Sequence, residues 1–300
     1  MVLNGLHLLL TYQCTFECDH CFVWGSPWQN GTMSIETIRT ILDQAEETGT
    51  IDWIYFEGGE PFLYYQVMLT GINEAFHRGF KVGIVTNSYW ATSEEDALLC
   101  LAPLAGKVHD LSISSDLFHF DKKISLQSEC VTSAAKRLDI PLGIICIEQP
   151  NQTARSTLGQ IPPEESSIMF RGRAAEKLID HVTLYPVDLF NECPHETLAD
   201  PQRIHIDPLG YLHICQGICI GNIHNASMKD ILAEFDPYTH PITGPLLSGG
   251  PRELAQHYQV QINYSYADAC HLCYETRKFL RDQFPTILAP DQMYGIPSVK

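Results

Sequence analysis

The sequence predicts an α/β protein that begins with a partial (β/α)6 barrel of the TIM type and ends in a small α+β domain with a β-hairpin. Short apolar, β-favouring segments alternate with longer amphipathic segments up to about residue 174, which is typical of βα units on a parallel sheet. A complete eight-unit barrel needs roughly 250 residues, so six units need about 190. After Pro186 the pattern changes to short strands, turns and further cysteines.

Six strands and two clearly bounded helices are predicted within the barrel. The first helix covers 34–48, because Ser34 can cap its first turn and Gly49 can end its last. The second covers 65–78 and ends before Gly79. Functional groups of such a barrel are expected at the carboxyl ends of its strands. The predicted strands are 6–12, 52–57, 81–86, 110–114, 142–147 and 167–170.

The later part of the chain is predicted to form its own domain, so we divide the protein into residues 1–187 and 188–300. Turn residues such as Pro208 and Gly210 separate two short β-favouring segments there. The expected elements are a β-hairpin from 203–207 and 211–215, a loop over 238–251 and a closing helix over 275–284.

The composition narrows the classes of partner. The formal net charge is -17, with 19 Lys and Arg against 36 Asp and Glu. Nucleic-acid binding needs a basic surface that displaces counterions, so no nucleic-acid partner is expected. Residues 1–10 lack the basic segment and the apolar length of a signal peptide or membrane span, which predicts a cytoplasmic protein without a membrane partner. The 11 cysteines then indicate metal or redox chemistry rather than disulfides.

Three cysteines lie on one short loop after the first predicted strand. Cys14, Cys18 and Cys21 are close enough in sequence to bind three irons of a single iron-sulfur cubane, because such irons favour thiolate ligands. Three ligands leave the fourth iron open to a small molecule. The alternative is a structural zinc site, for which His20 can supply the fourth ligand.

A second motif, Gly58-Gly59-Glu60-Pro61, follows the second predicted strand. Alone it is typical of an ordinary turn. The two motifs in this order resemble the radical S-adenosylmethionine (SAM) superfamily. The resemblance implies an enzyme that holds a [4Fe-4S] cluster on the three cysteines and chelates SAM at the open iron. In that family the glycine-rich segment approaches the SAM amino group, and bare backbone permits such close approach.

Later strand ends offer further polar partners, and the resemblance implies that some of them contact SAM. Residues at the fourth strand are the expected ribose contacts, and an arginine at 171 or 173 is the expected partner of the SAM carboxylate. Loop capping and surface ion pairs are the alternatives. Candidates for substrate contact or proton transfer are Asp116, His119 and Glu148. The predicted SAM-binding residues are Gly58, Gly59, Glu60, Pro61, Thr86, Asn87, Ser114, Asp116 and Arg171.

A second group of cysteines follows the barrel. The Gly-x-x-x-x-Cys pattern from Gly210, after an earlier cysteine, resembles the auxiliary-cluster module called SPASM and its shorter twitch form. Too few cysteines are present for two auxiliary clusters, so the resemblance implies the twitch-like form with one [4Fe-4S] cluster. Cys219 is left as a substitute ligand or a bystander, and zinc is the alternative metal. The implied cluster ligands are Cys193, Cys215, Cys270 and Cys273.

The resemblance therefore implies reductive cleavage of SAM to methionine and a 5'-deoxyadenosyl radical, which abstracts hydrogen from an unidentified small molecule or peptide. The auxiliary cluster favours an oxidative or bond-forming outcome, and a flavodoxin or ferredoxin is the expected electron donor. No separate peptide-recognition domain is expected before the barrel, which favours a small substrate or a peptide delivered by a partner. Two alternatives remain: a non-catalytic iron-sulfur electron carrier or sensor, and a zinc-stabilised binding module.

Overall fold

The computed structural model describes residues 2–150 and 166–296. Its first part alternates strands and helices. Helix α1 begins after Ser34, whose side chain accepts a hydrogen bond from the Thr37 amide, and ends at left-handed Gly49. These caps confirm the predicted bounds. The elements are β1 (Gly5–Leu9), α1 (Ile35–Thr48), β2 (Trp53–Glu57), α2 (Tyr65–His77), β3 (Lys81–Thr86), α3 (Glu94–Leu101), β4 (Val108–Ser114), α4 (Leu126–Arg137) and β5 (Leu142–Ile145).

The second part of the chain combines short strands with further helices. None of the helices in the described ranges is both long and apolar enough to cross a bilayer. The elements are α5 (Ala174–Lys177), β6 (Tyr185–Pro186), β7 (Arg203–Ile206), β8 (Tyr211–Cys215), β9 (Ile218–Asn222), α6 (Met228–Glu234), α7 (Thr243–His257), β10 (Ser265–Tyr266) and α8 (Ala269–Leu280).

The main sheet has eight strands in the order β5-β4-β3-β2-β1-β7-β8-β9. Strands β1 to β5 and β7 run parallel, whereas β8 and β9 are antiparallel additions at one edge. Side chains from all six parallel strands line one cavity of about 540 Å³, so the sheet curves around it. The predicted fold class, an α/β protein with a partial barrel, is confirmed.

The sixth parallel strand is not where the sequence predicted it. Residues 167–170 form no strand, and within the described ranges the chain just before them pairs beside β5 only at a bridge between Ile147 and Ser166. Strand β7 takes the sixth place on the opposite side, next to β1. The chain after Phe170 turns instead toward the cysteine loop, where Gly172 adopts a φ of +60°. That turn prevents the segment from continuing along the sheet edge.

Two predictions for the later part need correction. The segment 238–251 was expected to be a loop, but α7 begins at Thr243 and accommodates Gly249, Gly250 and Pro251 as a kink within it. The closing helix was expected over 275–284, but α8 begins at Ala269 because Asp268 accepts a hydrogen bond from the His271 amide as its cap. The predicted hairpin is present as β7 and β8.

Candidate active site

The three cysteines of the first motif line one cavity of about 140 Å³ at the carboxyl ends of β1 to β4. Two of the sulfur atoms accept hydrogen bonds from the surrounding chain. Cys14 Sγ lies 3.4 Å from Asn87 Nδ2 and 3.5 Å from the Phe16 amide, and Cys21 Sγ lies 3.2 Å from the Gly25 amide. Such donors stabilise the negative charge of a thiolate.

The pKa values of the cysteines in this loop are those of buried thiols that ionise when they bind a metal. Burial raises the pKa of Cys14 to about 12, and burial together with the neighbouring cysteines raises that of Cys18 as well. A buried thiol ionises when it binds a metal, because the metal supplies the missing positive charge. The residues present therefore fit an iron-sulfur cluster. Burial also lowers the pKa of His20 to about 4, which keeps its ring neutral and able to act as a ligand.

Arg173 and Gly172 hold the cysteine loop in place. The guanidinium of Arg173 is buried and donates to the carbonyl oxygens of Cys18 (2.7 Å) and Gly25 (2.8 Å). Its backbone amide donates to the carbonyl of Cys21 at 3.0 Å. A Cβ at Gly172 would lie 2.7 Å from that same Cys21 oxygen, so only glycine permits this contact.

The Gly-Gly-Glu-Pro segment packs directly on the chain that leads into the cysteine loop. Added Cβ atoms would lie 2.4 Å from the Thr11 carbonyl oxygen at Gly58 and 2.2 Å from the Gln13 carbonyl oxygen at Gly59. Both glycines also line the sulfur cavity. The segment therefore places bare backbone at the edge of the cavity.

Glu60 connects the ends of β2 and β3 and does not line the sulfur cavity. Its carboxylate is buried and accepts hydrogen bonds from Thr86 Oγ1 and the Asn87 and Phe62 amides, at 2.8, 2.8 and 2.9 Å. Burial outweighs these donors and raises the pKa of Glu60 to about 7. Its contact with SAM stays a prediction, whereas its contacts within the protein position Asn87.

Ser114 and Asp116 follow β4. Ser114 lines both the sulfur cavity and the larger barrel cavity. The fully buried Asp116 accepts from His119 Nδ1 (2.8 Å) and from the amides of Phe118 and Ile147. Burial opposes its ionisation, but these hydrogen bonds and the charge of His119 prevail and lower the pKa of Asp116. Asp116 therefore stabilises the loop, and its contact with the ribose stays a prediction.

The four cysteines of the second group, which come from three separate segments of the chain, line a small space of about 20 Å³. Cys193 precedes β7, Cys215 ends β8, and Cys270 and Cys273 lie one turn apart on α8. Two arginine side chains are buried against these sulfurs. Arg171 Nη1 lies 3.2 Å from Cys215 Sγ, and Arg277 lines the same space. Buried guanidinium groups need anions, so four metal-bound thiolates suit this place.

Arg171 and Cys219 have partners that bear on their predicted roles. Arg171 Nη1 forms an ion pair with Glu196 at 3.1 Å, beside the second cysteine group, although the side chain also borders the barrel cavity. Its pairing with the SAM carboxylate stays a prediction.

Cys219 Sγ lies 3.0 Å from the Ala289 carbonyl oxygen and 3.3 Å from His213 Nδ1. It does not line the space shared by the four other cysteines.

Sequence reasoning missed a polar cluster inside the barrel. His7, Glu57 and His205 come from β1, β2 and β7 and face the larger cavity together. The available signal was a polar residue at an inward position of an otherwise apolar strand, as in Leu6-His7-Leu8. Their proximity was not predictable, because β7 was expected in another domain.

Residues 8–121 match the family model of the radical SAM superfamily. The match includes the three-cysteine loop, the glycine-rich segment and the polar ends of β3 and β4. Residues 8–121 therefore form a domain similar to the radical SAM superfamily, whose enzymes use a [4Fe-4S] cluster and SAM as cofactors.

Two curated relatives match parts of the chain. A tungsten-containing aldehyde ferredoxin oxidoreductase cofactor-modifying protein of Pyrococcus furiosus is 36% identical over 90 residues, which are 30% of this chain and 25% of the relative. A putative peptide biosynthesis protein of Bacillus subtilis is 29% identical over 124 residues, which are 40% of this chain and 38% of the relative. The chain thus spans well under half the length of either relative.

The fold is similar to that of BtrN in its crystal structure with AdoMet and 2-DOIA. The TM-score is 0.52 at 15% sequence identity, and the similarity covers 77% of this chain and 82% of that one. At this identity the similarity shows a shared fold alone.

Proposed function

We propose that the protein is a radical SAM enzyme in which Cys14, Cys18 and Cys21 hold a [4Fe-4S] cluster with one iron open to SAM. The observation that carries the proposal is that all three cysteines line one cavity together with Gly58 and Gly59. When bound, the reduced cluster supplies one electron to SAM, which yields methionine and a 5'-deoxyadenosyl radical that abstracts a substrate hydrogen atom.

Residues of this chain prepare the site for that chemistry. Asn87 donates to the Cys14 sulfur, and hydrogen bonds to sulfur tune the potential of such clusters. Arg173 fixes the carbonyls on either side of Cys21 and so holds the loop in one conformation. Ser114 faces both cavities and is our choice for a SAM ribose contact. The substrate then occupies the larger cavity beyond it.

We further propose that residues 188–300 carry an auxiliary metal site on Cys193, Cys215, Cys270 and Cys273. The buried Arg171 and Arg277 support a cluster with net negative charge there. A cluster with four protein ligands transfers electrons and does not bind substrate, which favours an oxidative or bond-forming reaction. A flavodoxin or ferredoxin is the proposed electron donor, and the need for reduced clusters favours a cytoplasmic location.

A single zinc ion is the second candidate at this auxiliary site. The observation that favours it is the small size of the space between the cysteines, about 20 Å³, which is roughly the room that one water molecule needs. Four thiolates also suit tetrahedral zinc. Iron, sulfide and zinc analysis of anaerobically purified Cys14→Ala/Cys18→Ala/Cys21→Ala protein separates the two, since a cluster at the auxiliary site is then the one remaining source of bound sulfide.

The proposed substrate is a small molecule or the reacting residue of a peptide. The barrel cavity of about 540 Å³ lies within the range of roughly 300 to 1,000 Å³ that is usual for small-molecule sites. The relatives' names include both a cofactor-modifying protein and a peptide biosynthesis protein, so both substrate classes stay within the proposal.

Anaerobic incubation of the reconstituted protein with dithionite and SAM tests the enzymatic proposal. The expected product is 5'-deoxyadenosine, absent in Cys18→Ala and retained in Cys130→Ala, which alters a buried cysteine on α4 outside both sites. An electron carrier or sensor yields no 5'-deoxyadenosine above the Cys18→Ala level although it contains iron. A zinc-stabilised module contains zinc without iron or sulfide at the first site.

A further inference from the structure

The polar cluster of His7, Glu57 and His205 lies on three adjacent parallel strands. His7 on β1 is in register with Tyr55 on β2 and with His205 on β7. Glu57 lies two residues beyond Tyr55, so the pleat directs all three side chains to one face of the sheet. That face lines the barrel cavity, whereas Leu6 and Leu8, which flank His7 in sequence, are buried on the other face.

The distances within the cluster match those between ligands of one metal ion. Glu57 Oε1 lies 3.1 Å from His7 Nδ1 and 3.0 Å from His205 Nε2. Two ligand atoms at ~2.1 Å from one metal ion are ~3.0 to 3.4 Å apart, from octahedral to tetrahedral geometry. One ligand atom from each of the three residues lies within 4.8 Å of the others.

Aromatic packing sets the orientation of the two imidazole rings. The His7 ring stacks on Tyr55 with centroids 4.5 Å apart and planes at 9°. The His205 ring meets Phe22 at a centroid distance of 6.0 Å. Locked rotamers of this kind hold a ligand nitrogen in place before binding.

The neighbouring group of His20, Asp116 and His119 also has metal-compatible spacing, but its carboxylate is engaged. Asp116 accepts hydrogen bonds from backbone amides at both oxygens, including those of Phe118 and Ile147. Among the described residues, the hydrogen bonds of the Glu57 carboxylate run to the two histidines. A metal ion can replace the protons of those two bonds without breaking any backbone contact.

We infer that His7, Glu57 and His205 bind one divalent transition-metal ion through His7 Nδ1, a Glu57 oxygen and His205 Nε2. Two histidines and one carboxylate form a set that leaves coordination positions open, as in non-haem iron(II) sites. Here the open positions face the barrel cavity. The site takes ligands with oxygen donors, such as a hydroxyl, carboxylate or phosphate group.

The position of this site gives it a role for the substrate, and this part rests on the proposed function. Glu57 and Ser114 line both the barrel cavity and the sulfur cavity. A substrate anchored on the metal through oxygen therefore lies between the strand interior and the place where the adenosyl radical forms. The metal acts as an anchor for the substrate and exchanges no electrons.

Titration of the reconstituted holoprotein with Mn²⁺, without SAM, tests the inference by electron paramagnetic resonance (EPR). Bound Mn²⁺ loses the six-line signal of the free ion, and we expect one equivalent to bind. Pulsed electron-nuclear double resonance of the bound ion should detect ¹⁴N coupling from histidine. Glu57→Gln, His7→Gln and His205→Gln should each raise the Mn²⁺ dissociation constant by at least about tenfold. His77→Ala, at an exposed position of α2, serves as the control and should bind as wild type does.

Variants are compared only where their iron content equals that of the wild type, which shows that both the fold and the clusters persist. Absence of Mn²⁺ binding or of the ¹⁴N coupling in wild type overturns the inference, as does unchanged binding in the iron-replete variants. Formation of 5'-deoxyadenosine, measured on a separate portion, distinguishes the two proposals. Cleavage of SAM without Mn²⁺ binding refutes the metal site alone, and Mn²⁺ binding without cleavage refutes the enzymatic function alone.

Discussion

Replacement of Arg173 by methionine should remove metal from the first cysteine site and spare the second. Arg173 is 3% exposed and donates to the carbonyl oxygens of Cys18 and Gly25. Each hydrogen bond from a charged group contributes about 1.5 to 3 kcal/mol, so the loop loses about 3 to 6 kcal/mol. Each 1.4 kcal/mol is a factor of ten in an equilibrium constant, so cluster retention should fall by at least about a hundredfold.

The assay is anaerobic reconstitution followed by iron and sulfide analysis and EPR of the reduced protein with and without SAM. In Arg173→Met the signal that responds to SAM should disappear, whereas metal at the second site is retained. Arg173→Lys should give an intermediate occupancy, since an ammonium group can serve the same carbonyls without the planar fork.

Arg171→Met is the matched control, because the two arginines flank Gly172 and contact different cysteine groups. Arg171 lies 3.2 Å from Cys215 Sγ, so its replacement should reduce metal at the second site and spare the first. Wild-type iron content and a wild-type SAM response in Arg173→Met would refute the reasoning. So would an identical loss at both sites in the two variants.

Three further predictions concern single residues. Gly59→Ala should lower the free energy of unfolding in urea by more than about 3 kcal/mol, because its Cβ would lie 2.2 Å from a backbone oxygen. The control Gly31→Ala should lower it by only about 1 to 2 kcal/mol, because Gly31 has a φ of +83° but open space around the position of a Cβ. Equal losses in both would contradict this. Cys219→Ser should keep wild-type metal content while Cys273→Ser loses metal from the second site; metal analysis showing the reverse would make Cys219 a ligand. Burial raises the folded-state pKa of Glu60 to about 7. The folded chain therefore binds this proton more readily than the unfolded chain, whose Glu pKa is ~4.3, so the free energy of unfolding should fall by up to ~4 kcal/mol as the pH rises from ~4.3 to ~7. Denaturant unfolding between pH 5.5 and 8 should show a shallower fall in Glu60→Gln, and an unchanged slope would count against the assignment.

Local features of the amino-acid sequence predicted five of the six parallel strands and singled out the three-cysteine loop as a candidate site. Ser34 and Gly49 delimit α1 because caps act through hydrogen bonds within a few residues. The loop with Cys14, Cys18 and Cys21 is also a local motif, since its three cysteines lie within eight residues of one another in sequence. Strand β3 was predicted with its observed bounds from its apolar run alone.

The sequence did not predict which distant segments of the chain come into contact, and these contacts are visible only in the tertiary structure. The sixth parallel strand is β7 and not 167–170, because Gly172 and Arg173 hold that segment against the cysteine loop. The sequence indicated that Arg171 or Arg173 contacts a ligand, but only packing shows that each is buried beside a different cysteine group.

The polar cluster of the barrel also depends on contacts between segments that are distant in sequence. His7, Glu57 and His205 become neighbours only when β2, β1 and β7 pair in one register. Periodicity predicts which face of a strand is inward, but it carries no information about which strand lies next to it. The sequence alone therefore predicted the class of fold and the candidate cysteine sites, and the strand order determined which polar groups meet inside the barrel.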